Sequence, residues 1–578
     1  MSSIFLQIGR TIQDGKKNHN SEKIRILSAH LSYPHLIENQ KLFHVNDHHV
    51  FYLSSNNPGI LVHEMNVCCG LLHDVTDDWW LRDMPPSASF MMTNDSTRCV
   101  LQANQVASRS VWYYFDQEQF IVSTSQRAIV AWLGSFESNP QATSWMLATG
   151  NLGPGNSWDL RIKHLGAGQI IMLDKNSWCI DIKKHATPLI NTQRNPLDQK
   201  NELADLMEKA FSSVEKSSSL SNSILTLSGG FDSRVVLYYL VKANQFVPTA
   251  TWGLSSAANE VDTDSHIAGL IASKLKVKHR YFATDFKEPS FEPLLDNFLK
   301  LAEGRLDHIN SFMDGFQMWQ QLYKEGFRNV IRADEVFGWL PSRTEQDVRI
   351  SLDYHKMEDN SNMRPLMDFD IEPQFYPEEF IKYQNETLES WRDRLYREFR
   401  LPYVLTALHD LVQPYMEVIN PLLHDDLISF SKQLPDSSRT NKHLYSRHVT
   451  SLIPDIPIAR KASIPEASSI LKSARIVGLL LDELSSQDCR NLLGSKFINW
   501  NQQNLKVNDN LVNVTNKGYG LWLKAYIPWQ LKKLLRRDLI KYKADFNQLA
   551  FRAVISTRMQ RMLKEDASLF KSGSHNSN

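Results

Sequence analysis

The chain reads as an α/β protein: a strand-rich domain in front, a parallel-sheet domain behind it, and a helical extension at the end. Three observations predict this. Up to about Ala186, short β-prone runs alternate with polar turns; from Asn201 the apolar period becomes that of a helix; from Ser223 strands and helices alternate. At 578 residues the chain is too long for one core, so two or three domains are expected.

The front region offers "SIFLQIG", "LFHVNDHHVFYLS", "VWYYFDQEQFIVSTS" and "GAGQIIMLDKNSWCIDI" as strands. Leu203, Leu206, Met207, Ala210, Phe211 and Val214 then fall on one helical stripe. Next come a strand (Ser223 to Leu227), a helix (Ser233 to Val241), a strand (Thr249 to Leu254), a helix (Ser265 to Leu275) and a strand (Arg280 to Ala283). Such a βαβαβ order predicts a parallel sheet that binds ligands at its strand C-termini. The polar, acidic stretch from Ser342 to Glu389 reads as a mobile loop near that edge, the chain from Ser390 onward as mostly helical, and "KSGSHNSN" as a disordered tail.

Lys plus Arg and Asp plus Glu number 64 each, so no global field draws the protein to nucleic acid or membrane. The five cysteines, Cys68, Cys69, Cys99, Cys179 and Cys489, show no CxxC spacing, which suits a reducing compartment and argues against zinc. No apolar run reaches membrane-spanning length, and a cytoplasmic protein is expected.

The decisive stretch is "SILTLSGGFDSRVVLYYL", Ser223 to Leu240. A strand that ends in Ser-Gly-Gly and feeds a helix offers backbone N–H groups to a phosphate. The Lys of a Walker loop is missing. Phosphates would repel Asp232 unless a hard cation lay between them, so Asp232 implies Mg²⁺. The alternative is a tight turn with a capping Ser and Asp. "NVIRADEVFGWLP" places Asp334 and Glu335 at the end of another strand, and a later helix-rich stretch ends in Arg460 and Lys461, followed by Ser463.

These three segments, in this order behind a strand-rich domain, resemble the asparagine synthetase family, whose synthetase half is an ATP pyrophosphatase of the SGGxDS type. The resemblance spans nearly the whole chain. It rests on "VWYYFDQEQFIVSTSQRAIVAWL" and "LRIKHLGAGQIIML" in front, and on "LTLSGGFDSRVVL", "TDSHIAGLIASKLKVKHRYF", "RADEVFG" and "NPLLHDDLISFSKQLP" to "LIPDIPIARK" behind. It implies a degenerate Ntn-type αββα sandwich over residues 1–190 and an adenine nucleotide α-hydrolase-like ATP-pyrophosphatase domain over 200–570, with a tail at 571–578. It also implies that Leu227, Ser228, Gly229, Gly230, Asp232 and Ser233 bind the nucleotide phosphates, that Asp232 and Asp334 hold Mg²⁺, that Lys461 meets charge on the α-phosphate, and that the strand from Thr251 to Gly253 flanks the adenine.

The departures from the family narrow the reading. Glutamine-using members expose a Cys directly after the initiator Met, whose own amino group is its base. Here that residue is Ser2, and Cys68 and Cys69 read as buried core thiols, so no glutaminase activity is expected and the front half becomes a structural relic or a docking surface. Ile331 and Arg332 stand where the family's acidic block has a carboxylate and a Gly, which argues against aspartate as substrate. Arg234, in the first helical turn, pairs with a substrate carboxylate or phosphate, or is a solvated surface residue.

Members without the Cys include β-lactam synthetases and lasso peptide macrolactam cyclases. The resemblance to them implies an AMP-forming carbon–nitrogen ligase that uses ATP and Mg²⁺ on a small-molecule or peptide carboxylate, with a leader-peptide-binding or protease partner. Lys461, Asp334 and Glu335 would be its catalytic residues. Glu335, Glu417, His308 and Asp307 are the candidate general bases. Alternatives are an ammonia-dependent asparagine synthetase-like enzyme, a tRNA-modifying ATP pyrophosphatase carrying the basic stretch "KAYIPWQLKKLLRRDLIKYK", and a non-catalytic scaffold that binds ATP or a peptide.

Overall fold

The computed structural model describes residues 3–11, 16–31, 40–55, 60–70, 77–184, 195–212, 220, 222–286, 291–363, 365, 369–508 and 543–570. Ser2, Val214, the expected tail and all but the last residue of the basic stretch lie outside these residues. Among the described residues no helix is long and apolar enough to cross a membrane.

Residues 3–184 build two six-stranded antiparallel sheets. In the first, Ser3–Gly9 lies centrally between Gln119–Ser123 and His49–Ser55, with Leu6 opposite both Val122 and Phe51. The pleat divides this strand between two cores. Ile4, Leu6 and Ile8 face the second sheet and pack with Val67, Phe90, Leu101 and Ile171, while Phe5 faces the helical layer. Cys68, Cys69 and Cys99 are buried in the strands, and burial pushes the Cys69 and Cys99 thiols up to about 12. They are inert apolar filling, as the sequence reading of Cys68 and Cys69 expected.

A five-stranded parallel sheet follows, in the spatial order His279–Ala283, Thr249–Gly253, Ser223–Thr226, Asn329–Ile331, Glu417–Ile419. Four of its strands are buried on both faces, and the edge strand His279–Ala283 is half-buried. Ile224, Val330 and Val418 turn toward helix Phe291–Ala302, and Leu225, Ile331 and Ile419 toward helices Asp232–Lys242 and Asp264–Lys274. The predicted strands and helices of the βαβαβ unit agree with these bounds within about two residues at each end. Helix Pro196–Ser212 buries Leu203, Met207, Ala210 and Phe211 of the predicted stripe.

Two expectations need correction. The fifth strand, Glu417–Ile419, is one that the reading of the region as mostly helical did not include. The stretch read as a mobile loop carries helix Glu345–Ser351, started by a capping box between Thr344 and Asp347, and its Val348, Leu352, Tyr354 and Phe380 form a core together with Trp145 and Trp391.

Front and back halves share one continuous core. Helix Phe546–Ser568 packs on Gln126–Leu133 and Pro140–Thr149 of the front half, and its buried Asp566 takes hydrogen bonds from Arg127 at 2.7 and 2.8 Å, with His30 at 2.6 Å.

Candidate functional site

Three distant segments meet at the C-terminal edge of the parallel sheet. Ser223–Thr226 runs into the Ser228–Phe231 loop, and the loop into helix Asp232–Lys242. No side chain caps this helix, whereas Thr263 caps the next one and Ser125 and Asn139 cap two in the front half. Its first N–H groups therefore remain for another acceptor. The loop is held from within: the Ser228 N–H donates to Ser233 Oγ at 2.9 Å, and the Gly230 N–H to Ser228 Oγ at 3.3 Å.

Gly229 is required by a close approach. A Cβ there would lie 2.3 Å from the Cβ of Ala459, because the 459–463 segment threads beside the loop. The Ala459 N–H donates to the Gly229 carbonyl at 3.0 Å, the Asp264 N–H to the Lys461 carbonyl at 3.1 Å, and the Leu254 N–H to the Ser463 carbonyl at 2.8 Å. Gly253 is fixed the same way, since its Cβ would meet the Ser463 carbonyl oxygen at 2.3 Å. The third block of the sequence is thus knitted by main chain onto the first.

Asp334 and Glu335 follow the neighbouring strand, Asn329–Ile331. Asp334 accepts from His409 Nε2 at 2.7 Å, its N–H donates to Asn420 Oδ1 at 3.3 Å, and Arg332 lies 3.8 Å away. Burial opposes its charge, but the attraction of His409 and Arg332 outweighs that and holds the carboxyl well below the usual range. Glu335 behaves oppositely. Burial, aided by the charge of Asp232, pushes it up to about 7 despite Lys442. Burial also raises Asp232.

Lys442 bridges these two acids, with Nζ 2.8 Å from Glu335 and 3.2 Å from Asp232. Burial works against its charge, yet Glu335 and Asp232 together hold its pKa well above normal. The ammonium sits 5.5 Å from the Trp339 ring centre, and Trp339 stacks with Tyr396 at 6.2 Å. Lys442 and its neighbour Asn441 both have left-handed backbone, φ 52° and 57°. Such a conformation costs a non-glycine residue about 1–2 kcal/mol, strain of the kind that collects at functional sites. Gly338 lets the turn approach, since a Cβ there would meet the Arg439 carbonyl oxygen at 2.1 Å.

The sequence reading missed Lys442, His409 and Asn420. The only signal was the position of Asn441-Lys442 just ahead of a helix in the third block. Of the residues it did name, Asp232, Asp334 and Glu335 converge here. Lys461 is anchored at the loop by its main chain, but its half-exposed ammonium pairs with Glu260 at 2.5 Å. Arg234 is neither solvated nor directed at a ligand. It is 1% exposed and donates to the carbonyls of Ile456 and Pro457 at 2.6 Å each, clamping the approach to the 459–463 segment. Two of the candidate bases are occupied elsewhere: Glu417 is buried against Arg109, and Asp307 accepts from Arg552 at 2.6 Å and Gln548 at 3.0 Å. His308 is partly exposed beside Asp307 at 3.3 Å.

Among the described residues no three His, Cys, Asp or Glu side chains form a metal cage. Two carboxylates at adjoining strand ends, one of them held ionised, nevertheless fit Mg²⁺, which takes one or two protein carboxylates and completes its shell with phosphate and water.

No family model matches the chain, and no curated protein matches it. Among solved structures, that of NMN synthetase from Francisella tularensis is similar at 14% identity over 48% of this chain and 100% of that one, with a TM-score of 0.16. A likeness at that level carries no argument about this protein.

Proposed function

We propose that this protein is an ATP- and Mg²⁺-dependent, AMP-forming carbon–nitrogen ligase that adenylates a substrate carboxylate and joins it to an amine without hydrolysing glutamine. On this reading it is an asparagine synthetase-like ATP pyrophosphatase of the branch that includes β-lactam synthetases and lasso peptide cyclases, behind a degenerate Ntn-type domain. The supporting observation is the convergence of the uncapped Ser228–Asp232 loop, the ionised Asp334 and the strained Lys442 at one edge of a parallel sheet.

The N–H groups at the uncapped start of helix Asp232–Lys242 receive the phosphates of ATP, and Gly253, pressed against Ser463, leaves a thin strand edge for adenine. Asp232 and Asp334 would hold Mg²⁺, which supplies neutralising charge to the phosphates when bound. A substrate carboxylate oxygen then bonds to the α-phosphorus, and the bond from that phosphorus to the bridging oxygen breaks. Pyrophosphate carries the electron pair away, stabilised by Lys442 and by Lys461, which exchanges Glu260 for phosphate. The amine nitrogen next attacks the acyl carbon and AMP departs. Glu335, with a pKa of about 7, takes the amine proton.

The test is ATP–pyrophosphate exchange across a panel of carboxylates and carboxylate-bearing peptides, in the wild type and in Asp232→Ala. Carboxylate-dependent exchange that disappears in the variant supports the reading. A wild type inert with every member of the panel would favour a scaffold.

A further inference from the structure

Asp334 is held by two groups from one stretch of chain: His409, on helix Thr406–Asp410, and Asn420, just past strand Glu417–Ile419. Between them lie Asp410, Gln413 and Glu417; Gln413 and Glu417 reach Arg109 of the front half directly, and Asp410 is tied to it through Gln413. Arg109, in the connection between the front half's strands Arg98–Ala103 and Trp112–Phe115, is 2% exposed and pairs with Glu417, 3% exposed. With the Gln413 amide oriented to satisfy both neighbours, its oxygen accepts from Arg109 Nη1 at 2.9 Å and its nitrogen donates to Asp410 Oδ1 at 2.8 Å. Asp410 also binds Arg305, which donates to Ser110 Oγ at 3.0 Å. Arg109 is rooted in the antiparallel sandwich, where its charge reaches the buried Cys69 thiol.

A buried guanidinium and carboxylate cannot separate without leaving an unpaired charge in the interior. The pair therefore fixes the 409–420 stretch against the front half, and that stretch fixes Asp334. We propose that the front half serves as a positioning device for Asp334, with Arg109 as its positioning residue, acting through Glu417, Gln413 and Asp410 on His409 and Asn420. It rests on the site reading above only for the consequence in Mg²⁺ binding.

Arg109→Met alone would strand Glu417, so the variants are Arg109→Met with Glu417→Met, which replaces the pair by apolar side chains, and Arg109→Lys. The full-length proteins are crystallised and assayed for the Mg²⁺ concentration giving half-maximal ATP–pyrophosphate exchange. The expected result is a folded double variant whose His409–Asp334 contact opens beyond hydrogen-bond distance. Its Mg²⁺ requirement should rise roughly 10-fold or more, as is usual when a group supporting a metal ligand is lost, with Arg109→Lys falling between it and the wild type. A folded double variant that keeps the 2.7 Å contact and the wild-type Mg²⁺ requirement would overturn the proposal. The crystallographic distance reads out even if the wild type proves inert in exchange, so failure of the ligase reading and failure of this one are separable.

Discussion

Two charge clusters, one buried and one partly open, are built on opposite plans. In the Arg109, Glu417, Arg305 and Asp410 cluster, cations and anions match one for one. In the Asp232, Glu335 and Lys442 cluster, one ammonium serves two acids, both acids are raised, and the lysine stands on strained backbone. The matched cluster balances its charge without a ligand. The mismatched one holds surplus negative charge that a further cation would relieve, beside a helix start that no side chain caps. This contrast separates support from site more sharply than burial does.

The largest effect should come from breaking the matched cluster. Arg109→Met is expected to destabilise the fold by about 3–5 kcal/mol in urea unfolding, with the Glu417→Met second change restoring most of it. In the mismatched cluster the consequences divide differently. Asp334→Asn is expected to lower pyrophosphate exchange by roughly 10²–10³-fold. Asp232→Asn should abolish exchange while leaving the unfolding midpoint equal to or above the wild-type value, because it removes a carboxylate the fold disfavours.

Next in size is a pH effect. Glu335 rises from 4.5 in the unfolded chain to about 7 in the fold, so between those values the folded protein binds more protons. Its contribution is fully present below pH 4.5 and is lost as pH rises toward 7, a loss of about 3 kcal/mol in the metal-free protein. Glu335→Gln should flatten that slope in unfolding curves measured from pH 4.5 to 7.5. Smallest is Gly229→Ala, where a Cβ 2.3 Å from Ala459 should force the 459–463 segment outward and lower stability by roughly 1–3 kcal/mol.

What the sequence revealed and what it hid follow from the range of the interactions. The βαβαβ strands were legible because each is a short apolar run bounded by turn residues, and the Ser-Gly-Gly loop because its chemistry is local. Glu417–Ile419 was not, since three residues buried on both faces show no period. Acidic composition disguised the 342–389 stretch, whose core is made with Trp145 and Trp391 from elsewhere in the chain. Arg234 and Lys442 were assigned no role or the wrong one because their partners lie about 220 and 210 residues away, at Ile456 and Asp232. Residue type marked the candidate chemistry, but only the fold determined which lysine faces the acids.

The bond at which ATP is cut distinguishes an AMP-forming ligase from an ATPase. Phosphorus NMR of ATP incubated with the full-length protein, Mg²⁺ and a fractionated extract of carboxylate metabolites and peptides tests this directly, with Asp232→Ala as control. AMP and pyrophosphate in equal amounts are expected from the wild type and neither from the variant. ADP and orthophosphate in their place, lost with the same variant, would contradict the ligase reading.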